Sequence, residues 1–261
     1  MSTFVLPVAQ FDAAAALLAQ FDRKFPLRVS ALGPKTENAS AFRAALKETT
    51  DAIQKFSADH AERATVNQLE MVIPADVDLA LLAEARAIIG DRQLNVFWEA
   101  AVESVERVIE LLAKHESEKH GRPFSYKLRT GGVIADAFPT SAQIATALVT
   151  AARHHVCIKF TAGLHHPIRQ FRTEVNTKMH GFLNVLGAGV LAAEHNWDEG
   201  QTSAILDDEN ASSFSFDDTL FAWRDWEIAT DRIKARRKFV TSFGSCSFDE
   251  PREDLRALGF F

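Results

Sequence analysis

Short stretches that alternate between apolar and polar residues recur along the chain, and longer stretches with helical periodicity separate them. Side chains two positions apart share a face of a strand, whereas side chains three or four apart share a face of a helix. The first pattern predicts eight strands, at residues 3–8, 27–32, 68–73, 94–99, 124–130, 156–161, 213–216 and 239–243.

The second pattern predicts a helix after each strand. Thr140 and Ser141 suit the start of one of these helices, and Gly90 and Gly259 suit helix ends. Trp223 and Trp226 are predicted to share the apolar face of another helix. The predicted helices are residues 12–21, 39–60, 77–89, 102–115, 141–153, 179–195, 219–237 and 251–258.

Eight strands, each followed by a helix, are typical of the (β/α)8 TIM-type barrel, and 261 residues are a usual size for it. We therefore predict an α/β protein with a single TIM-barrel domain over residues 1–261. The strand patterns at 3–8 and 213–216 are the weakest. Without them, an open doubly wound sheet is the alternative.

Charged side chains occupy predicted strands that would normally be apolar if buried in a parallel sheet. Lys127 and Arg129 share one face of strand 124–130, and Lys159 and Thr161 share one face of strand 156–161. Such faces are expected to line the barrel interior, because helices cover the outside. A buried lysine is costly unless it is paired or used for chemistry.

The neighbouring predicted strands add two carboxylates, Glu70 in strand 68–73 and Glu99 in strand 94–99. Together with the lysines they are predicted to form a polar site near the carboxyl ends of the strands, where barrel enzymes place their chemistry. A structural salt-bridge network inside the barrel is the alternative interpretation.

Two lysines on neighbouring strands are expected to lie close together, since strands are spaced about 4.8 Å apart. Two like charges in a poorly solvated site disfavour each other, so that one amine stays neutral. A neutral lysine can attack a carbonyl carbon and form a Schiff base.

The segment 127–165, about forty residues, begins with Lys127-Leu128-Arg129-Thr130-Gly131 and ends with Lys159-Phe160-Thr161-Ala162-Gly163-Leu164-His165. This segment shows a resemblance to two neighbouring strands in the deoxyribose-phosphate aldolase group of class I TIM-barrel aldolases. It implies that Lys127 forms the Schiff base and that Lys159 lowers its pKa. Those aldolases have a small residue where this chain has Arg129, and they end in a tyrosine. The acid/base role is therefore expected to fall to Glu70 or Glu99.

A longer signature is similar to that of bacterial barrel proteins, a resemblance that implies no particular reaction. It comprises residues 161–167, 180–184 and 242–248.

The residues predicted to bind substrate lie in or after the strands, on the same rim. They are Arg129, Thr130, Thr161, Gly163, His180, Asn184, Gly244 and Ser245.

Histidines near this rim are further candidates for chemistry. His165 and His166 follow strand 156–161, and one of them is expected to face the centre, as a general acid/base or as a metal ligand with Glu70 or Glu99. His165 is also a candidate partner for His180. A surface loop is the alternative interpretation. Cys246 is either a nucleophile or a buried packing residue.

Composition narrows the classes of function. The chain is 47% hydrophobic and 25% charged, with a net charge of −6, which is typical of a globular protein and disfavours nucleic acid as a partner. No stretch predicts a membrane span or a signal peptide, and two cysteines make no disulfide framework. We expect a cytoplasmic protein with a small anionic substrate; a homo-oligomer is left open.

Three hypotheses of function follow. The first is a lyase or aldolase that acts on a small anionic carbonyl compound through a Schiff-base lysine and needs no cofactor. The second is an isomerase or hydrolase of the same fold that uses Glu70, Glu99 or His165 for acid/base chemistry, with a divalent metal as an option. The third is a non-catalytic ligand-binding barrel.

Overall fold

A computed structural model describes residues 3–21, 23–116 and 122–260 of the chain. The chain divides into two compact units. The first comprises residues 1–104 and 110–126, and the second comprises residues 105–109 and 127–261. The prediction of a single domain stays a prediction.

The strands agree with most of the predicted ones, and strand 27–32 has the predicted bounds. They are β1 (Phe4–Pro7), β2 (Leu27–Leu32), β3 (Ala64–Val72), β4 (Asn95–Glu99), β5 (Ser125–Arg129), β6 (Ile158–Thr161), β7 (Gln170–Arg172), β8 (Thr177–Met179), β9 (Phe214–Phe216), β10 (Leu220–Trp223), β11 (Trp226–Ala229) and β12 (Val240–Gly244).

The helices follow the predicted order, and helix 141–153 has the predicted bounds. They are α1 (Phe11–Ala15), α2 (Ala39–Asp59), α3 (Leu79–Ile89), α4 (Val105–Glu116), α5 (Ser141–Arg153), α6 (Phe182–His195), α7 (Glu199–Leu206), α8 (Thr230–Arg236) and α9 (Asp249–Ala257).

The described strands form one large sheet and two small ones. Seven strands form the large sheet in the order β1-β2-β3-β4-β5-β6-β12. The pairs β1–β2, β2–β3, β3–β4 and β6–β12 are parallel. This confirms an α/β fold with a parallel sheet, and the order β1 to β6 follows the chain as the sequence predicted.

Residues 213–216 were predicted to form a strand of the barrel sheet. A strand is present there, but it does not belong to the large sheet. These residues form β9, which pairs antiparallel with β10 instead of joining the large sheet. The reason is the turn that follows β9. The Asp217 carboxylate accepts hydrogen bonds from the backbone N–H groups of Thr219 and Leu220, at 2.6 and 3.0 Å, and so reverses the chain at once.

The predicted helix 219–237 was wrong over its first half, which is the hairpin β10–β11. Trp223 and Trp226 lie directly opposite each other across this hairpin and do not share a helical face. Between them Arg224 adopts a left-handed conformation with φ of 52°, which closes the turn. Only α8 remains of the predicted helix.

Three further elements have no counterpart among the predictions. The strands β7 and β8 form an antiparallel hairpin whose turn places Asn176 at φ 50°. Helix α7 begins with a capping box between Asp198 and Gln201.

In the first unit, helix α2 buries one face against the sheet. Its buried side chains, among them Phe42, Leu46, Ile53 and Phe56, recur at helical spacing. The Phe42 ring lies 5.5 Å from that of Trp98, which is fully buried on β4. Burying each large apolar side chain stabilises the fold by about 1.5–3 kcal/mol.

In the second unit, helix α6 packs closely on its neighbours through two glycines. A Cβ on Gly187 would lie 2.7 Å from the Phe221 ring, and a Cβ on Gly189 would lie 2.5 Å from Val240. Helix α5 begins with the predicted cap, because Thr140 and Gln143 form a capping box.

Among the described residues, no helix combines the length and the apolar character that crossing a bilayer requires.

Candidate functional site

Lys127 and Lys159, which the sequence singled out, both lie in the second unit and are buried. Lys127 is 4% exposed on β5 and Lys159 is 5% exposed on β6. Just after β5, the backbone N–H of Thr130 donates a hydrogen bond to the carbonyl oxygen of Thr161, at 2.8 Å. Each lysine therefore precedes, along its own strand, the backbone hydrogen bond that joins the ends of β5 and β6.

The residues after the two lysines form a tight joint between the strand ends. The Thr130 hydroxyl donates a hydrogen bond to the carbonyl oxygen of Ala162 at 2.5 Å. Gly163 has φ of 74°, and a Cβ on it would lie 2.8 Å from the Thr130 carbonyl oxygen. Only glycine fits this conformation and this space. Thr130 and Gly163 thus fix the strand ends, and their role in substrate binding stays a prediction.

Arg129 differs from Lys127 although both belong to β5. Arg129 is exposed, and its Nε donates a hydrogen bond to the carbonyl oxygen of Gly131 at 3.1 Å. Thr161 is half-buried at the end of β6. The prediction that Arg129 lines the interior together with Lys127 was therefore wrong, because Arg129 lies at the end of β5, where solvent reaches its side chain.

Glu70 and Glu99 belong to the first unit. Glu70 is 1% exposed on β3, and its carboxylate accepts a hydrogen bond of 2.6 Å from the Ser30 hydroxyl on β2. Burial raises the pKa of Tyr126, and the charges of Glu99 and Glu103 raise it further. Glu70 is thus buried as predicted, whereas Glu99 at the end of β4 is half-buried, and the proton-transfer role of the two carboxylates stays a prediction.

His165 and His166 both contact carboxylates of helix α9 in the second unit. The Nδ1 atom of His165 lies 3.2 Å from Oε2 of Glu250. The Nδ1 atom of His166 lies 2.5 Å from Oδ2 of Asp254, and its Nε2 atom lies 3.9 Å from Oε1 of Glu250. Glu250 therefore lies between the two imidazole rings.

Cys246 lies beside His165 and is exposed, so that its interpretation as a buried packing residue was wrong. Its Sγ atom is 3.7 Å from Nδ1 and 3.8 Å from Nε2 of His165. From the sequence, the two residues were expected to follow separate strands, which the structure shows as β6 and β12. The sequence did not predict that the two side chains contact each other.

His180 is buried, and both of its ring nitrogens have protein partners. Nε2 lies 2.6 Å from the carbonyl oxygen of Pro139, and Nδ1 lies 3.0 Å from a guanidinium nitrogen of Arg169. A carbonyl only accepts, so Nε2 carries the proton and Nδ1 accepts from Arg169. Burial lowers the pKa of His180 to about 4, although the bond to Pro139 opposes this. In the described part of the chain, no contact joins His180 to His165.

Asn184 is fully buried on α6 and makes three hydrogen bonds. Its Oδ1 accepts from the Arg169 N–H at 2.9 Å, and its Nδ2 donates to the carbonyl oxygens of Ile205 and Asp208, at 2.7 and 2.8 Å. These bonds tie α6 to the β7 hairpin and to the end of α7. The structure thus gives Asn184 a structural role, and substrate binding by it stays a prediction.

Gly244 ends β12, and Ser245 begins an exposed loop that leads into α9. The Ser245 hydroxyl accepts a hydrogen bond from the Ser247 N–H at 3.3 Å. Asp249 and Glu250 lie in the first turn of α9. Their charges disfavour an anion at this helix end, and substrate binding by Gly244 and Ser245 stays a prediction.

Asp208 is a buried carboxylate that the sequence reasoning missed. It accepts hydrogen bonds from Nε1 of Trp223 at 2.9 Å, from Arg224 at 2.8 Å and from the Asn210 N–H at 2.9 Å. Burial raises the pKa of Asp208, but these bonds outweigh burial, so that the pKa lies below its usual value. Asp208 holds the turn of the β10–β11 hairpin.

A cleft of about 600 Å³ also lies in the second unit. Its lining includes Arg153, Cys157 and Phe239, which lie at or before the amino ends of β6 and β12, and Trp197, which follows α6. The predicted site is at the carboxyl ends of these strands, so this cleft is not part of it.

Within residues 3–21, 23–116 and 122–260, no group of three or more His, Cys, Asp or Glu side chains is arranged to hold a metal ion.

Comparison of the chain with protein-family models, with curated proteins and with solved structures finds no match.

Proposed function

We propose that this chain is a (β/α)8 barrel enzyme that acts on a small anionic carbonyl compound through a Schiff base on Lys127 or Lys159. The observation that supports the proposal is the burial of both lysines on neighbouring strands of one unit. A buried lysine is costly unless it is paired or used for chemistry, and a lysine amine can form a Schiff base with a carbonyl carbon.

In the proposed reaction, the lysine nitrogen attacks the carbonyl carbon of the substrate, and a carbinolamine forms. Loss of water then gives an iminium ion. A base takes the proton of the β-hydroxyl group, the Cα–Cβ bond breaks and its electron pair moves towards the iminium nitrogen, so that one carbonyl product leaves and an enamine remains. A proton returned to the enamine carbon gives an iminium ion again, which water hydrolyses to release the second product and restore the amine. The net reaction is that of an aldolase-type lyase, and it uses no cofactor.

The anionic group of the substrate is proposed to bind at Arg129, the exposed cation at the end of β5. A guanidinium group matches carboxylate and phosphate groups in charge and geometry. We further propose a cytoplasmic enzyme of bacterial type, because the signature at residues 161–167, 180–184 and 242–248 is similar to that of bacterial barrel proteins.

Borohydride trapping tests the proposal. The chain is incubated with a panel of aldehydes, ketones and 2-oxo acids, reduced with borohydride, digested and analysed by mass spectrometry. We expect a reduced adduct on one of the two buried lysines, and no adduct at that position in the Lys127→Met or the Lys159→Met variant. Absence of an adduct on either lysine across the panel would contradict the proposal.

Lys178→Met is the matched control. Lys178 lies in the same unit but is exposed on β8, where it pairs with Glu209. The reaction is proposed for the buried lysines alone, so that trapping on them is expected to be the same in this variant. Equal labelling of Lys178 and of the buried lysines would show that the trapping is unspecific.

A further inference from the structure

A cysteine, a histidine and a glutamate converge at the start of α9. Sγ of Cys246 lies 3.7 and 3.8 Å from the two ring nitrogens of His165, and Nδ1 of His165 lies 3.2 Å from Glu250. All three residues belong to the second unit. A nucleophile beside a base, with a third group that orients the base, is the arrangement used in covalent catalysis.

Glu250 determines which nitrogen of His165 is available to the thiol. An ionised carboxylate only accepts hydrogen bonds, so Nδ1 of His165 carries the proton that faces Glu250. Nε2 then has a lone pair, and it lies 3.8 Å from Sγ of Cys246. This separation is long for proton transfer, but such contacts often shorten when substrate binds.

Solvent reaches the thiol, and the surroundings favour an uncharged substrate. Cys246 is exposed, and Phe248, two residues further on, is 61% exposed and offers an apolar surface. The carboxylates of Asp249 and Glu250 lie in the first turn of α9 and disfavour an anion, while the Arg252 guanidinium lies 5.4 Å from the centre of the Phe248 ring. These features suit a neutral ester or thioester with an apolar acyl group.

We propose that Cys246 is the nucleophile of a second reactive site, which transfers acyl groups from neutral esters or thioesters, with His165 as its base and Glu250 as a positioning residue. This site is independent of the proposed Schiff-base lysines, and it requires a different class of substrate.

In the first step, the Cys246 thiol gives its proton to Nε2 of His165 as sulfur attacks the acyl carbon. A C–S bond forms and the bond to the alcohol or thiol leaving group breaks. The leaving group takes the proton from His165, so that acyl-Cys246 and a neutral alcohol or thiol result. In the second step, His165 accepts a proton from water, whose oxygen attacks the acyl carbon. The C–S bond breaks, the carboxylic acid leaves, and the proton passes from His165 to the Cys246 thiolate, which restores the thiol.

Alkylation by iodoacetamide tests the activation of the thiol. The rate at Cys246 is expected to fall about tenfold in His165→Asn, because the base beside the thiol is lost. Glu250→Gln is expected to slow the reaction, and Glu250→Asp to restore part of the rate. A purely structural role of Glu250 predicts no such recovery.

Two controls accompany the measurement. Cys157, the second cysteine of the chain, is half-buried, and its rate in the same sample reports on the integrity of the fold. His155→Asn removes an exposed imidazole that precedes β6, at the opposite end of this strand from His165, and should leave the rate at Cys246 unchanged. An unchanged rate at Cys246 in His165→Asn would overturn the proposal.

Acyl transfer itself is tested with p-nitrophenyl acetate. We expect one acetyl group on Cys246 by mass spectrometry and a burst of p-nitrophenol, both lost in Cys246→Ser and retained in Cys157→Ser. Hydrolysis without acetylation of Cys246 would refute the acyl-enzyme step. Cys246→Ser should still form the borohydride adduct on a buried lysine, so that the two proposals fail separately.

Discussion

At the scale of single residues, burial sets the protonation state of His180. Its Nε2–H donates to Pro139, and its Nδ1 accepts from the Arg169 guanidinium. A second proton on the ring would face that guanidinium in a site with little water, which is unfavourable for two like charges. The folded protein therefore keeps His180 neutral.

This predicts a loss of stability in acid. The pKa of His180 is about 4 in the folded protein, below its usual value of 6.5. As the pH falls through 6.5, the unfolded chain binds a proton that the folded chain does not bind until about pH 4. The free energy of unfolding should thus decrease over this range, by an amount on the order of 3 kcal/mol.

Urea unfolding at a series of pH values measures this effect, and His180→Gln is the comparison. The variant should be less stable than the parent at neutral pH, but its stability should change less between pH 6.5 and 4. Parallel stability curves for the two proteins would show that His180 does not cause the acid sensitivity.

At the scale of elements, glycine sets how closely α6 packs on β12. A Cβ at Gly189 would lie 2.5 Å from one methyl group of Val240 and 3.1 Å from the other. Val240 is fully buried in the second unit. Helix α6 and strand β12 therefore cannot move apart to make room for a Cβ without loss of packing.

Gly189→Ala is therefore expected to destabilise the protein. Overpacking costs about 1–3 kcal/mol, and the better helix propensity of alanine offsets about 1 kcal/mol of this. Thermal and urea unfolding measure the difference. Val240→Ala supplies the control, since a smaller side chain there should lessen the cost of the added methyl group. Additive effects in the double variant would contradict the contact.

The elements that the sequence predicted well are those whose signals are local. Helix α5 has its capping box at Thr140 and Gln143, and β2 has a plain strand pattern; both have the predicted bounds. The hairpin β10–β11 was predicted as a helix because Trp223 and Trp226 are three residues apart. That spacing suits a helical face, but it also suits two residues on either side of a tight turn.

The two candidate sites also differ in whether a local pattern in the sequence predicts them. The burial of Lys127 and Lys159 followed from alternation within single strands, which the sequence displays directly. The contact between Cys246 and His165 joins residues 81 positions apart, and it depends on how β6 and β12 pair. No local pattern encodes the pairing of these strands. The sequence therefore identified both residues as candidates but did not predict their contact.

At the scale of the whole molecule, the hypotheses of function differ in what they require besides the chain. A Schiff base needs only an amine and a carbonyl compound. An isomerase or hydrolase assisted by a divalent ion needs that ion bound. A ligand-binding protein without catalysis needs neither, and its buried lysines would affect stability alone.

Removal of metal ions distinguishes these cases. We expect the yield of the borohydride adduct on the buried lysines to be the same in excess chelator as in its absence, because the lysine alone activates the carbonyl. The comparison uses the protein that gave the adduct, with mass spectrometry as the readout and Lys178→Met as the control for unspecific labelling. If chelation abolished the adduct and a divalent ion restored it, the metal-assisted mechanism would replace the one proposed here. If the adduct still forms in chelator but is lost in Lys127→Met or Lys159→Met, the amine of that lysine is the group that reacts with the carbonyl compound.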